Sequence, residues 1–155
     1  MKLNIVYLGW YQIIGGAIGI VTILFTLTTI DLEWLNVLVL LPAFILWSFS
    51  IITGLSCLKE SDNAIKFTKL CQAFQIFWFA ILGYAFSFCS GIYLNVGLDV
   101  TESFNLTGGI GISKYDLMIN KEKENAFVSI NLIPIGILYL IDKGVTAKNA
   151  RETTL

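Results

Sequence analysis

Charged residues divide this chain into apolar runs that are long enough to cross a membrane. Ile5 to Ile30, Leu35 to Leu58 and Leu70 to Gly97 contain no charged residue. Each run exceeds the ~20 residues that an α-helix needs to cross ~30 Å of hydrocarbon. A backbone inside lipid must satisfy its own hydrogen bonds, so each run is predicted to cross as a helix. We therefore predict transmembrane helices at about 7–29, 35–58 and 67–96, with the last two forming an antiparallel hairpin.

A fourth uncharged run, from Ala126 to Ile141, is shorter. Asn131 can cap a helix there, and Pro134 would fall in its first turn, where proline is tolerated. We predict a short fourth helix at about 131–144.

The segment between the third and fourth helices changes to alternating apolar residues around Gly-rich and charged turns. Such alternation is typical of strands. We predict an insert at about 97–130, with strands near Ser103–Leu106, Ile110–Asn120 and Ala126–Ile130.

These elements predict an all-α membrane protein, a four-transmembrane-helix bundle with a small extracytoplasmic β-hairpin or meander between helices 3 and 4. Residues 1–155 form a single integral membrane domain. The composition agrees, because 56% of the residues are hydrophobic and only 14% are charged, against roughly 25% charged in soluble domains. The lipid bilayer is the expected surrounding, and a net charge of −1 gives no reason to expect a nucleic-acid partner.

Small and polar residues in the first helix fall on one stripe. Gln12, Gly15 and Gly19 are three or four residues apart, and Gly-x-x-x-Gly is a pattern that lets helices approach closely. We favour packing against a neighbouring helix of the same chain, with a homodimer contact as the alternative.

In the predicted hairpin, Gln72 and Gln75 share a face of the third helix. Counting from the turn places Gln75 opposite Thr53, and Trp78 close to Trp47. We interpret these side chains as hydrogen-bonding partners between helices, with a polar solute pathway as the alternative.

Catalytic, cofactor and metal sites are not predicted. The chain has no histidine, and its three cysteines, Cys57, Cys71 and Cys89, have no C-x-x-C spacing. Cys57 should lie level with Cys71, on a reducing side where a disulfide is not expected. The acidic residues Asp31, Glu33, Asp99 and Glu102 could gather around a hard cation, although solvated acidic loops are the preferred interpretation.

Lysine and arginine set the orientation. One side of the predicted bundle holds seven of them and the other holds three: Lys2, Lys59, Lys66, Lys69, Lys143, Lys148 and Arg151 against Lys114, Lys121 and Lys123. We predict a multi-pass protein with cytoplasmic N- and C-termini.

Two segments carry a resemblance to known proteins: Trp10-Tyr11-Gln12-Ile13-Ile14-Gly15-Gly16, and Asn131-Leu132 with Leu140-Ile141-Asp142-Lys143. Together they resemble small uncharacterised four-helix integral membrane proteins of Bacteroidota-type bacteria. The resemblance implies a bacterial inner (plasma) membrane and no activity.

The functional expectation is a non-enzymatic membrane protein. We favour an accessory or scaffold subunit of a larger membrane complex, with a membrane-protein partner or self-association. The alternative is a small homo-oligomeric transporter or channel that uses the polar faces of Gln12, Gln72 and Gln75.

Overall fold

The computed structural model describes residues 5–30, 33–101, 103–119 and 126–152. Its helices are α1 (Ile5–Leu27), α2 (Trp34–Leu58), α3 (Ala64–Ala73) and α4 (Leu132–Glu152). Its strands are β1 (Phe77–Ile81), β2 (Tyr84–Asp99), β3 (Asn105–Met118) and β4 (Phe127–Asn131). All four strands belong to one antiparallel sheet.

The predicted all-α four-helix bundle is therefore wrong, and the error lies in the third apolar run. The helix that begins at Ala64 ends at Ala73, and the rest of the run forms β1 and β2. A continuous apolar run fits a buried strand as well as a helix when periodicity alone is considered. The aromatic residues that dominate Phe77–Ile81 favour the pleated, half-buried surface of a strand.

Two helices are long and apolar enough to cross a membrane, judged by length and composition. These are α1, with 23 residues and a mean hydropathy of 1.7, and α2, with 25 residues and a mean hydropathy of 2.3. At 1.5 Å rise per residue each is about 35 Å long. The four spans predicted from the sequence are not supported, because α3 is only 10 residues long and the apolar part of α4 is interrupted at Asp142 and Lys143.

The α1–α2 hairpin is packed through glycines. A Cβ at Gly9 would lie 2.9 Å from the carbonyl oxygen of Gly54, and a Cβ at Gly16 would lie 2.8 Å from that of Trp47. The two backbones can approach this closely only because the side chains are missing. Pro42 is accommodated inside a continuous α2.

The sheet closes on itself through the long strand β2. The first residues of β2 pair with β1, its last residues pair with β4, and β1 and β4 also pair with each other. This arrangement requires a corner in β2, which lies at an irregularity between Cys89 and Ile92. Gly91 has a φ of +109° at this corner, a conformation that glycine adopts readily. Strand β3 pairs with β2 along its whole length and is the edge strand of the sheet.

The expected strand positions in the insert can be compared with β3 and β4. The stretches expected near Ser103–Leu106 and Ile110–Asn120 are joined in the single strand β3, which continues through Gly108 and Gly109 instead of turning there. The stretch expected at Ala126–Ile130 nearly coincides with β4 (Phe127–Asn131).

The sheet begins and ends beside two helices. Strand β1 follows α3 closely and β4 runs directly into α4, while the Asn131 N–H donates to the Ile76 carbonyl oxygen at 2.8 Å. Lys69 of α3 also forms a salt bridge with Asp142 of α4. The entry to the sheet and its exit therefore lie together.

Candidate functional site

The polar residues predicted from the sequence lie in one buried region between the helices and the sheet. Gln12, Thr53, Gln72 and Gln75 are all fully buried. A chain of hydrogen bonds crosses this region. It contains Ser90 Oγ to Ser50 Oγ (2.7 Å), Ser50 Oγ to the Gln12 carbonyl oxygen (3.1 Å) and Gln12 Nε2 to Thr68 Oγ1 (3.4 Å). Side chains of α1, α2, α3 and β2 are thereby connected.

Gln75 does not bind Thr53 as the helical hairpin predicted. Its Nε2 donates to the Cys71 carbonyl oxygen at 3.2 Å, and its Oε1 accepts a hydrogen bond from the Ser90 N–H at 2.9 Å. Thr53 instead donates to the carbonyl oxygen of Phe49 within its own helix. The pairing rule assumed two long antiparallel helices, and α3 ends at Ala73, just before Gln75.

The glycines of the predicted stripe lie at two different contacts. A Cβ at Gly15 would lie 2.3 Å from the backbone nitrogen of Gly91 in the sheet, whereas a Cβ at Gly19 would lie 2.1 Å from the Trp47 ring in α2. Ser113 adds a hydrogen bond from its Oγ to the Gly15 carbonyl oxygen at 2.9 Å. The glycine stripe of α1 therefore packs against α2 at Gly19 and against the corner of β2 at Gly15.

Trp47 and Trp78 lie on either side of β2. The Trp47 indole N–H donates to the Cys89 carbonyl oxygen at 3.3 Å, and the Trp78 indole N–H donates to the Phe88 carbonyl oxygen at 3.1 Å. The two rings were predicted to lie close together as neighbours on paired helices. They are instead linked through β2, a segment that the sequence interpretation placed in a helix.

Cys57, Cys71 and Cys89 are all buried, free thiols. Cys57 Sγ lies 3.2 Å from Thr68 Oγ1. Burial raises the pKa of the Cys71 thiol to about 11, against hydrogen bonds from Ser50 and Gln75 that lower it. A thiol with such a pKa is protonated near neutral pH and a poor nucleophile. No group of three His, Cys, Asp or Glu residues in the described chain is placed to hold a metal ion.

The outer face of the sheet is apolar, whereas its inner face combines polar side chains with a few aromatic and small ones, such as Trp78 and Ala80. The outer face is apolar and exposed, and it is formed by Phe77, Phe79, Ile81, Ile92, Leu94, Val96, Leu98, Leu106, Ile110, Ile112, Val128 and Ile130. The inner face alternates with it and carries the polar residues Ser87, Asn95, Asp99, Asn105, Thr107, Lys114, Asp116, Ser129 and Asn131.

Strand register and close contacts define this inner face. Gly97 pairs with Thr107 on one side and with Ser129 on the other, and directly paired residues lie on the same face of a sheet. A Cβ at Gly109 would lie 2.9 Å from Asn95 Oδ1, and one at Gly111 would lie 2.5 Å from the Tyr93 hydroxyl. Glycines on the inner face thus leave room for larger polar and aromatic side chains.

The rest of β2's outer side contacts the helical hairpin. Phe88 is buried with Trp47, Ile23 and Ala43, and the Tyr115 hydroxyl donates to the Val39 carbonyl oxygen at 3.1 Å. The corner lies against Gly15 near the middle of α1, and Val39 lies near the start of α2. The sheet therefore extends from the middle of the hairpin toward the turn that joins α1 to α2.

A cavity of about 470 Å³ opens at the end of the inner face. It is lined by Ala80, Ala85, Asp99, Thr101, Ser103, Asn105, Asp116, Met118 and Phe127. Four polar atoms of the same face make no hydrogen bond within the described part of the chain: Ser87 Oγ, Asn95 Oδ1, Thr107 Oγ1 and Ser129 Oγ. Ser129 is 1% exposed and Asn95 9%. Buried polar groups normally have partners, but none of these four residues lines the cavity itself.

The charges around this cavity are unevenly distributed. Asp99 and Asp116 line its mouth, and hydrogen bonds from Thr101 lower the pKa of the Asp99 carboxyl, which therefore stays ionised. Lys114 lies with its Nζ 5.1 Å from the centre of the buried Trp78 ring. The mouth is thus acidic.

Sequence reasoning missed this inner face, although a signal was present. In residues 93–99 the polar and small residues Tyr93, Asn95, Gly97 and Asp99 alternate with apolar ones. That alternation is the strand pattern, but it was absorbed into the long uncharged run. Of the predicted acidic cluster, Asp31 and Glu102 lie outside the described residues. Glu33 lies at the N-cap of α2, whereas Asp99 lines the cavity.

Comparison with protein-family models, with characterised proteins and with solved structures finds no match to this chain.

Proposed function

We propose that this chain is a non-enzymatic membrane protein that holds a small polar cation in the interior of its sheet. The observation that carries the proposal is the reversed sheet, which is apolar outside and polar inside. Strands that alternate in this way are typical of sheets that face lipid on one side and an aqueous interior on the other.

Lipid is the proposed surrounding because the apolar exterior is continuous. Exposed apolar residues cover the outward sides of α1 and α2, including Phe25, Leu41 and Phe44, and the same character continues over the outer sheet face at Leu94 and Val96. An exposed apolar surface of this extent is unusual in soluble monomers. In a soluble protein the polar face of the sheet would point toward water and its apolar face toward the core. Here the polar face points inward, which supports lipid as the surrounding of the apolar face.

The proposed location is a bacterial inner membrane, with α1 and α2 as the spanning hairpin and the sheet inserted beside it from one side. The salt bridge between Lys69 and Asp142 holds α3 and α4 together. We therefore propose that the N-terminus, α3 and α4 all lie on the cytoplasmic side, where lysine and arginine concentrate. Reporter fusions after Lys69 and after Leu155 should both read cytoplasmic, and an external signal at Leu155 would contradict this topology.

The proposed ligand class follows from the donors and acceptors of the cavity. Two carboxylates at the mouth attract a cation, and the side-chain oxygens of Ser103 and Asn105, which also line the cavity, can accept hydrogen bonds from its N–H groups. The volume of about 470 Å³ lies within the range of small-molecule sites. A small organic amine fits this description. A membrane-protein partner that receives the amine would make the chain an accessory subunit.

Calorimetric titration in mild detergent tests the proposal with three probes of similar length: putrescine, butanediol and succinate. Putrescine should bind, whereas the neutral diol and the dianion should not. Asp116→Asn should weaken putrescine binding by about tenfold, the loss of one charged contact. Asp62→Asn, an exposed carboxylate in the turn before α3, is the matched control and should bind like the wild type. Equal binding of all three probes, or of none, would refute the proposed ligand class.

A further inference from the structure

One edge of β3 has no strand paired with it in the described part of the chain. Strands β1 and β4 are paired on both sides, and the edge of β2 away from β3 pairs with β1 at its beginning and with β4 at its end. Strand β3 pairs with β2, and no other described strand pairs with its far edge. Two of its outward side chains are the most exposed of the outer face, with Leu106 at 76% and Ile110 at 75%, against 40% for Leu94 on β2.

We infer that residues 105–111 of β3 pair antiparallel with the same residues of a second copy, so that two sheets become continuous. An unpaired strand edge is a template for another strand, and lipid-exposed sheet edges do not occur in the hydrocarbon region because their backbone groups would lack partners. The argument from lipid exposure rests on the membrane location given under the proposed function. The segment carries no charge and no proline, either of which would block pairing.

The side-chain pattern of the segment favours a second copy over a different protein. On the outer face, Leu106 and Ile110 lie two residues on either side of Gly108. A two-fold axis at Gly108 therefore places each Leu106 opposite Ile110 of the second copy, with the two glycines facing each other. The same register pairs inner-face Thr107 with Gly109. The large side chains of Leu106 and Ile110 thus face each other, and the two Gly108 residues face each other at the axis. Such self-complementarity is what a two-fold interface requires.

Disulfide cross-linking tests this interface, because a residue on a two-fold axis meets itself. Paired strands bring Cα atoms to about 4.5–5.5 Å, within the range of a disulfide. In the full chain in detergent, oxidised Gly108→Cys should give a covalent dimer at least about tenfold more abundant than in two controls. These are the wild type, whose three cysteines are buried, and Gly136→Cys, a glycine of α4 with open space around it.

Light scattering of the wild type gives a second measurement that does not depend on the variant. A dimer is expected. A wild-type monomer, or equal cross-linking of Gly108→Cys and Gly136→Cys, would overturn the inference. Putrescine binding by that monomer would leave the proposed function intact, so the two can fail separately.

Discussion

Gln72 and Gln75 show how two fully buried amides in one short segment can differ in what they contribute. Gln75 makes hydrogen bonds through both amide atoms, to Cys71 and to the backbone of Ser90. Neither amide atom of Gln72 has a partner within the described chain. Leaving a buried polar group unpaired costs about 1–3 kcal/mol. Gln75→Leu should therefore lower the free energy of unfolding by about 1–3 kcal/mol, because it leaves the Ser90 N–H unpaired.

Gln72→Leu is the matched comparison and should leave stability unchanged or raise it, because it removes an unsatisfied amide of similar size. Denaturant unfolding of both variants in detergent measures the difference. A loss of stability in Gln72→Leu equal to that in Gln75→Leu would show that Gln72 has a partner, such as an ordered water or a bound guest.

Gly19 is predicted to tolerate no side chain. A Cβ there would lie 2.1 Å from the Trp47 ring, and Trp47 itself is 3% exposed and hydrogen bonded to the sheet. Gly19→Leu should cost about 1–3 kcal/mol or more, as overpacking does. Gly136→Leu, placed in open space on α4, should cost little. Melting temperatures in detergent check the pair, and equal melting temperatures would place Gly19 on a free face.

At this scale the sequence was informative about which residues are buried and silent about what they contact. A glutamine or glycine inside an apolar run marks a packed position whether the run is helix or strand, so Gln12, Gln75 and Gly19 could be singled out. Their partners could not be predicted. The contact of Gln75 with Ser90, for example, depends on the hairpin turn at Leu82 and Gly83 between β1 and β2, which the sequence interpretation placed inside a helix.

At the scale of elements, the corner of β2 decides how the sheet meets the helices. Gly91 has a φ of +109°, and a Cβ there would lie 2.5 Å from the Tyr11 ring. The Tyr11 hydroxyl donates to the neighbouring Ile92 carbonyl oxygen at 3.0 Å. Gly91→Ala should therefore destabilise the fold by roughly 1–3 kcal/mol through backbone strain and displacement of Tyr11.

Gly136→Ala is the control for Gly91→Ala, because nothing lies within 4 Å of a Cβ at Gly136 and its φ is not positive. Thermal unfolding followed by tryptophan fluorescence reports on both variants, since Trp47 and Trp78 donate hydrogen bonds to the carbonyl oxygens of Cys89 and Phe88, respectively, just before the corner. Unchanged unfolding of Gly91→Ala would mean that the corner is formed differently.

The helices α1 and α2 could be predicted because each uncharged run ends at a polar turn. The division of Leu70 to Gly97 into α3, β1 and β2 could not, because the strands of a reversed sheet lack the charged residues that usually mark a solvent face. Only the alternation of small and polar residues with large apolar ones distinguishes them. Further along, at β3 and β4, charged and glycine residues make that alternation visible, and strands were expected there.

The whole molecule can be understood as one apolar exterior enclosing two polar regions. The region between the helices and the sheet is closed by hydrogen bonds from Gln12 to Ser90, and the interior of the sheet opens at an acidic mouth near Asp99 and Asp116. In the proposed membrane location, lipid covers the apolar surface of this chain, 56% of whose residues are hydrophobic, and the interior is used for hydrogen bonding.

A depth series of lysine substitutions tests lipid exposure of the whole outer face. Leu94, Val96 and Leu98 follow one another along the exposed side of β2, from the corner near the middle of α1 toward the mouth. A lysine on a lipid-facing strand costs about 2–4 kcal/mol at the bilayer midplane and about 0–1 kcal/mol near the interface. Leu94→Lys should therefore be the most destabilising, Val96→Lys intermediate and Leu98→Lys the mildest.

Leu82→Lys, in the exposed turn between β1 and β2, is the control and should have almost no effect. Unfolding from lipid vesicles gives the four free energies. A cost that is the same at all three positions would indicate a protein partner on this face, and no cost at any of them would indicate water.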